Sequence, residues 1–170
     1  MSWTMPPEVA RIYPELPKKP LLSPVELEHE PILDPAAVKA ILPHRDPFLF
    51  IDWVTVLKVE EGLIAARYDL SRSQQIFAGH FPHEPVWPGV LQVEAIAQAG
   101  ILCSLVQKEE PSPAKVTMTQ IIGARFVRPV YPGGSVDILA RVFEDGLLFT
   151  IAGQCLYQGN ICSGAVITCY

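Results

Sequence analysis

Residues 79 to 98 combine three groups that could act together in proton transfer. The stretch reads GHFPHEPVWPGVLQVEAIAQ, with His80 in a Pro-rich loop and a Pro88–Gly89 step before an apolar helical pattern that contains Glu94. A histidine can accept a proton near neutral pH, and a carboxyl group in apolar surroundings can hold one because desolvation disfavours its charged form. The unpaired N–H groups at a helix start can receive negative charge on a substrate oxygen. This set predicts proton transfer next to a carbonyl group.

Other kinds of site are not indicated by the sequence. His80 and His83 are separated by a proline loop that would make a poor metal clamp, and no third ligand stands out. We therefore expect neither a bound metal nor a cofactor. The sequence contains no GxSxG elbow, phosphate-binding loop or GxGxxG fingerprint, and no cysteine has a histidine close by that would support a thiol nucleophile.

Composition limits the class and compartment of the protein. A chain of 170 residues fits one domain with a real core, and a formal charge of −5 gives no basic footprint for nucleic acid. The N-terminus lacks a signal-peptide pattern, so we expect a cytoplasmic protein without export. The four cysteines are Cys103, Cys155, Cys162 and Cys169. They lack CxxC spacing, which favours buried free thiols. A disulfide between Cys155 and Cys162, which lie in adjacent predicted strands, stays open.

The apolar run over residues 89–106 approaches the roughly 20 residues needed to span a bilayer. It also contains Gln92, Glu94 and Gln98. A helix that is apolar on nearly every side is equally well explained by burial inside a protein. We favour burial and expect no membrane span.

The elements around this run predict an α+β domain. Asp34 and Pro35 begin a short helix over about 35–42, and the long helix covers about 89–107. Alternation, clear in Leu147, Phe149, Ile151, Cys155 and Tyr157, indicates strands. They are expected at about 48–57, 60–70, 114–128, 134–144, 147–157 and 161–169, with glycine turns at 132–134, 144–146 and 158–160.

Short strands joined by tight turns favour one antiparallel sheet, which can bury the apolar helix by curling round it. A helix of about 19 residues spans roughly 28 Å and lets four or more strands pack across it. Residues 1–33 hold seven of the 17 prolines, which predicts an extended arm that wraps another surface or stays loose. The predicted organisation is therefore an arm over 1–33 and a domain over 34–170.

Three blocks of this sequence resemble the β-hydroxyacyl-acyl-carrier-protein dehydratases. Residues 79–98 are similar to the family pattern GHFPxxPxMPGVLxxEAxAQ, residues 42–52 (LPHRDPFLFID) to LPHRYPFLLVD, and residues 124–142 (ARFVRPVYPGGSVDILARV) to ARFRRPVxPGDxLxxEV. The blocks occur in the family's order. The resemblance implies the hotdog fold, a curled antiparallel sheet around a long central helix, which agrees with the pattern above.

The resemblance also implies an activity, which is loss of water from an acyl-carrier-protein-bound 3-hydroxyacyl thioester. His80 would be the base, Glu94 the acid and the Gly89 N–H the oxyanion donor, with the histidine and the acid contributed by different chains of a homodimer or a higher assembly such as a trimer of dimers. The implied substrate-binding residues are Phe81, Pro82, His83, Trp87, Pro88, Val90 and Gln98. Gln98, one turn beyond Glu94, either steadies that carboxyl group or is a polar group of the core.

The chain departs from the family pattern at a few positions. His83 and Trp87 replace a small residue and a Met near the implied acyl entrance, which predicts a differently shaped pocket, and Asp46 replaces a Tyr. His44 and Arg45 are expected to tie the first strand to neighbouring backbone.

Two other functions stay open, a thioesterase and a non-catalytic partner subunit of a heterodimeric dehydratase. The basic residues expected to dock an acidic carrier protein are Arg125, Arg128, Lys18 and Lys19.

Overall fold

The computed structural model describes residues 5–106, 116–145 and 148–170. Within these ranges six strands form one antiparallel sheet in the order β1-β2-β4-β5-β6-β3. The strands are β1 (Trp53–Lys58), β2 (Leu63–Asp69), β3 (Met118–Phe126), β4 (Ser135–Asp145), β5 (Leu148–Tyr157) and β6 (Asn160–Cys169). The helices are α1 (Pro7–Ile12), α2 (Pro24–Leu27), α3 (Pro35–Ile41), α4 (Gln74–Gly79) and α5 (Gly89–Val106).

Helix α5 lies against the inner face of the curled sheet and forms the centre of the main core. It packs on strands β2 to β6 and on α3. By length and composition it is the one helix among the described residues that could cross a membrane, but 72% of it is buried inside the chain. The buried central helix confirms the prediction made from its apolar pattern, and the architecture is the expected hotdog fold.

The first strand is shorter than predicted. Residues 48–52 lie outside the ladder, since the backbone of Phe48 and Phe50 bonds to the side chain of Gln98 instead of to a strand. The Asp52 N–H donates to the Arg67 carbonyl, and regular pairing begins at Trp53. The other predicted strands agree within a few residues, apart from the positions that lie outside the described ranges, which include Leu147.

Residues 5–33 are not an extended arm as predicted. Helix α1 and helix α2 each carry a proline at the first helical position, where the missing N–H costs nothing, and a 3₁₀ turn (Tyr13–Glu15) follows α1. This segment packs on the outer face of the chain's own sheet. Val9 and Leu16 are buried there against Ala152 and Val166.

Along β5 the outer sheet face is therefore buried as well as the inner one. Along β5, Ile151 and Cys155 belong to the core around α5, whereas Ala152 and Leu156 contact the N-terminal segment or its neighbours. Besides the N-terminal segment, one other region differs from the prediction. Helix α4, which leads into His80, was predicted as a loop. The division into an arm (1–33) and a domain (34–170) stays a prediction.

The predicted turn at 158–160 is a two-residue hairpin loop between β5 and β6. Tyr157 pairs with Asn160, and Gln158 and Gly159 both have positive φ, of 52° and 75°. This is the combination that a tight antiparallel hairpin requires.

Candidate active site

His80 ends α4 and has one ring nitrogen held by backbone. Its N–H donates to the Ile76 carbonyl at 2.9 Å, and its Nδ1 lies 3.0 Å from the Val86 carbonyl oxygen. Since a carbonyl oxygen only accepts, this contact places the proton of a neutral ring on Nδ1. The Nε2 lone pair is then available to take a proton from a substrate.

His80 lines a groove of about 470 Å³ with the first turn of α5 and the end of β3. Gly89 is the first residue of α5, and the Pro88 carbonyl accepts from the N–H groups of Leu91 and Gln92. The first N–H groups of a helix have no partner within it. The groove therefore combines a base with the positive end of a helix; its walls are His80, Val86, Trp87, Gly89, Val90, Gln92, Phe126, Val127, Arg128 and Pro129.

Gly89 is in close contact with a side chain of its own chain. A Cβ at position 89 would lie 2.7 Å from the Phe126 ring. The neighbouring atoms there belong to an aromatic ring of the chain itself. Phe126 is 53% exposed at the end of β3.

Glu94 lies in the second turn of α5 and is bound by a buried amide. The Gln98 Nε2 donates to Glu94 Oε1 at 2.9 Å and to the Phe48 carbonyl at 2.9 Å, while Gln98 Oε1 accepts from the Phe50 N–H. Gln98 is fully buried. Gln98 therefore both contacts the Glu94 carboxyl group and is a polar group of the core, which are the two alternatives given for it above.

His44 does not tie the first strand to backbone, as we had expected, but faces Glu94. Its Nε2 lies 3.6 Å from Glu94 Oε1. Burial lowers the pKa of His44 from its ordinary value of 6.5, against the opposing effect of Glu94, so the ring is neutral near pH 7. Arg45 does bind backbone as expected, because it donates to the carbonyls of Leu42 and His44 at 2.7 Å.

Within one chain His80 and Glu94 lie in different surroundings. The groove that His80 lines does not include Glu94, and Glu94 contacts His44 and Gln98. A site that uses both residues therefore needs either a movement or a second copy of the chain.

The other expected substrate-binding residues are distributed unevenly. Phe81 is exposed and its ring stacks on His80 with centroids 4.1 Å apart, while Pro82, His83 and Val90 are exposed and Pro88 is partly buried. Trp87 was expected near an acyl entrance, yet it is 2% exposed and stacks on Tyr68. Trp87 contributes to the groove wall, but its side chain is buried in the core.

The charged residues near the first block form a separate cluster. Arg72 pairs with both Asp46 and Asp52, and Asp46 is also 3.4 Å from the Lys39 ammonium group. The residue that replaces the family Tyr is therefore held by two cations. Over the described part of the chain no three His, Cys, Asp or Glu side chains are grouped as metal ligands would be. All four cysteines are buried and free.

Residues 42–159, which are more than half of the chain, match the family model of the FabA-like domain. The 3-hydroxyacyl-[acyl-carrier-protein] dehydratase FabZ of Campylobacter jejuni is 38% identical over 138 residues, which cover 79% of this chain and 94% of the relative. The FabZ of an Anaeromyxobacter species is 36% identical over 141 residues, covering 81% and 90%.

Solved structures share the fold at lower identity. The dehydratase heterocomplex ApeI:P of Xenorhabdus doucetiae matches with a TM-score of 0.60 and 20% identity, over 84% of this chain and 91% of that one. A thioesterase of Haemophilus influenzae matches with a TM-score of 0.58 and 20% identity, over 81% and 89%. At this identity the likeness supports the hotdog fold and nothing more specific.

Proposed function

The chain belongs to the FabA-like family, and from this premise we propose that it removes water from a 3-hydroxyacyl thioester to give the trans-2-enoyl thioester. The FabZ relatives bear the name of this activity and are 36–38% identical over most of their length. The observation that carries the proposal is the contact of the His80 Nδ1 with the Val86 carbonyl at 3.0 Å, which supports a role for Nε2 as the base.

In the proposed reaction His80 Nε2 takes a proton from C2 of the acyl group. The electron pair of that C–H bond moves toward the carbonyl carbon, and negative charge grows on the thioester oxygen. The Gly89 N–H, at the positive end of α5, donates to this oxygen. Glu94 then gives a proton to the 3-hydroxyl group as the C3–O bond breaks, so that water leaves and the C2–C3 double bond forms.

A composite site would bring His80 of one chain next to Glu94 of another. Strand β3 is an edge of the sheet, and it carries the exposed apolar side chains of Ile121 and Phe126, with Val127 following. An unpaired edge with apolar side chains is suited to pairing with another strand. We therefore propose a homodimer, or a higher assembly of such dimers, that forms through this edge.

The proposed carrier of the acyl group is an acyl carrier protein, and the proposed location is the cytoplasm. An acidic carrier would meet basic side chains near the groove, and Arg128 is one of the groove walls. Arg125 is exposed on β3. Lys18 is a weaker candidate because it pairs with Glu15 at 3.1 Å.

The experiment compares His80→Ala and Glu94→Gln with the wild type on a 3-hydroxyacyl thioester. Each change should lower kcat by about 10²–10⁴-fold, since general acid–base catalysis contributes that much per group. The thermal midpoint should stay nearly constant. Enoyl absorbance reports dehydration and a thiol reagent reports hydrolysis.

His29→Ala serves as the matched control, because His29 is exposed in the N-terminal segment. It should have wild-type activity. Full activity in both site variants would overturn the assigned roles. Release of free thiol without enoyl absorbance would instead favour a thioesterase, and no reaction of the purified homomer would favour a partner subunit.

A further inference from the structure

The two oxygens of Glu94 have different surroundings. Oε1 accepts from the Gln98 Nε2 at 2.9 Å and lies 3.6 Å from the His44 Nε2. Among the described residues Oε2 has no hydrogen-bond or ion-pair partner, and the side chain is 22% exposed. One oxygen is therefore held by the chain while the other is free to face a substrate.

The backbone at His44 is fixed by hydrogen bonds, and its ring has one polar neighbour. Arg45 donates to the His44 carbonyl and to the Leu42 carbonyl, which fixes the backbone around the ring. On the ring itself, Nδ1 is buried without a partner in the described part of the chain. The Nε2 atom is thus the ring atom with a polar neighbour, and this neighbour is the Glu94 carboxyl group.

His44 can donate a hydrogen bond to Glu94 without forming a permanent ion pair, because its ring is neutral near pH 7. Burial lowers the pKa of His44, so the ring is neutral near pH 7. A neutral ring with its proton on Nε2 offers an N–H group to Oε1 without adding a positive charge. The 3.6 Å separation exceeds a hydrogen bond, but such contacts are often long in unliganded sites and shorten in the complex with substrate.

We propose that His44 is a positioning residue for Glu94, which together with Gln98 holds Oε1 and keeps Oε2 directed at the leaving hydroxyl group. This inference rests on the proposed function, because it assigns His44 a part in the proton transfer by Glu94. Donors on Oε1 also stabilise the carboxylate that remains after Glu94 has given its proton away. His44 lies 50 positions before Glu94 in the sequence, in the segment between α3 and β1.

The test compares His44→Gln with His44→Leu on a 3-hydroxyacyl thioester. The glutamine amide can still place an N–H group toward Oε1, whereas leucine cannot. His44→Leu should lower kcat about 10-fold with KM nearly unchanged, and His44→Gln should recover most of that loss, since a hydrogen bond to a charged group is worth about that factor. A purely structural role would lower the thermal midpoint of both variants and would not separate their kcat values. His29→Leu is the matched control.

The outcomes separate this inference from the proposed function. A wild-type chain that does not dehydrate the substrate overturns the proposed function, and the inference with it. An active wild type whose kcat is unchanged in His44→Leu overturns the inference alone. If His44→Leu fails to fold, His44→Gln and His44→Asn decide, because asparagine is too short to reach Oε1 and should lose kcat where glutamine keeps it.

Discussion

The ionisation of a single side chain, His44, connects the candidate site to the stability of the fold. Burial lowers its pKa below the ordinary value of 6.5, and Arg45 acts in the same direction while Glu94 opposes it. Between the lowered folded value and 6.5 the unfolded chain binds more protons than the folded chain. The free energy of unfolding therefore falls as the pH falls through this window.

We expect His44→Gln to remove this part of the pH dependence. The thermal midpoint of the wild type should decline more steeply than that of the variant between pH 7.5 and 5.5, as followed by circular dichroism. His29→Gln, which changes an exposed histidine, should keep the wild-type slope. Parallel curves for the wild type and His44→Gln would contradict a buried neutral ring at this position.

Residue types and spacing were sufficient to select His80 and Glu94 as candidates, because both stand in one short stretch with a helix start between them. They were not sufficient for His44, since its contact with Glu94 depends on how the segment between α3 and β1 lies against α5. The position of Trp87 could not be predicted from residue type and spacing either. Its neighbours in sequence belong to the loop, but its ring packs on Tyr68 from β2.

At the scale of elements, one buried amide on β5 binds the N-terminal segment, in addition to the apolar contacts of Val9 and Leu16 with the sheet. The Gln154 side chain on β5 donates to the carbonyls of Leu16 and Lys19 and accepts from the Leu21 N–H. Beneath Leu16, position 164 on β6 must be glycine-sized, because a Cβ there would come within 2.8 Å of the Leu16 Cβ.

Gln154→Leu should therefore loosen the segment. It leaves three backbone groups without partners, and each unsatisfied buried polar group costs about 1–3 kcal/mol. Part of this is recovered if the segment detaches into water, so we expect a loss of about 2–3 kcal/mol in the free energy of unfolding, measured with urea. Limited proteolysis should become faster within residues 5–33.

Gln75→Leu is the matched control, since Gln75 is exposed on α4, and it should change stability by less than about 0.5 kcal/mol. Equal stability and equal proteolysis of the Gln154→Leu variant and the wild type would show that the segment is not held by this amide.

The elements themselves were largely predictable where one periodicity dominated, as in α5 and the hairpin of β5 and β6. The N-terminal segment was misjudged because its prolines were interpreted as breaks, whereas they stand at the first positions of α1 and α2. Alternation in β5 identified the inner face through Ile151 and Cys155. It did not reveal that Gln154, a polar residue on the other face, is fully buried, because this depends on a segment more than a hundred residues away.

At the scale of the whole molecule, the two proposed catalytic groups do not line one groove within a single chain, and an assembly of two chains is one way to bring them together. One chain holds Glu94 with its own His44 and Gln98, and places His80 at a groove that Glu94 does not line. The exposed edge of β3 ends at Phe126, which is a wall of the same groove. A partner that pairs along this edge would therefore lie beside His80.

This arrangement predicts complementation between two inactive variants. In a dimer of one His80→Ala chain with one Glu94→Gln chain, one site carries both changes and the other carries neither. Random exchange of equal amounts makes half of the dimers mixed, so the mixture should regain about a quarter of the wild-type activity. The measurement is the dehydration rate after the two proteins are unfolded and refolded together.

Mixing His80→Ala with the doubly changed chain is the control, because no combination of these chains contains an intact shared site. It should stay inactive. If the first mixture stays inactive as well, although native mass spectrometry shows that mixed dimers have formed, His80 and Glu94 of different chains do not share a site. The reaction would then require both groups from one chain, and the single-chain separation of His80 from Glu94 would have to close by a movement of α4 and its loop.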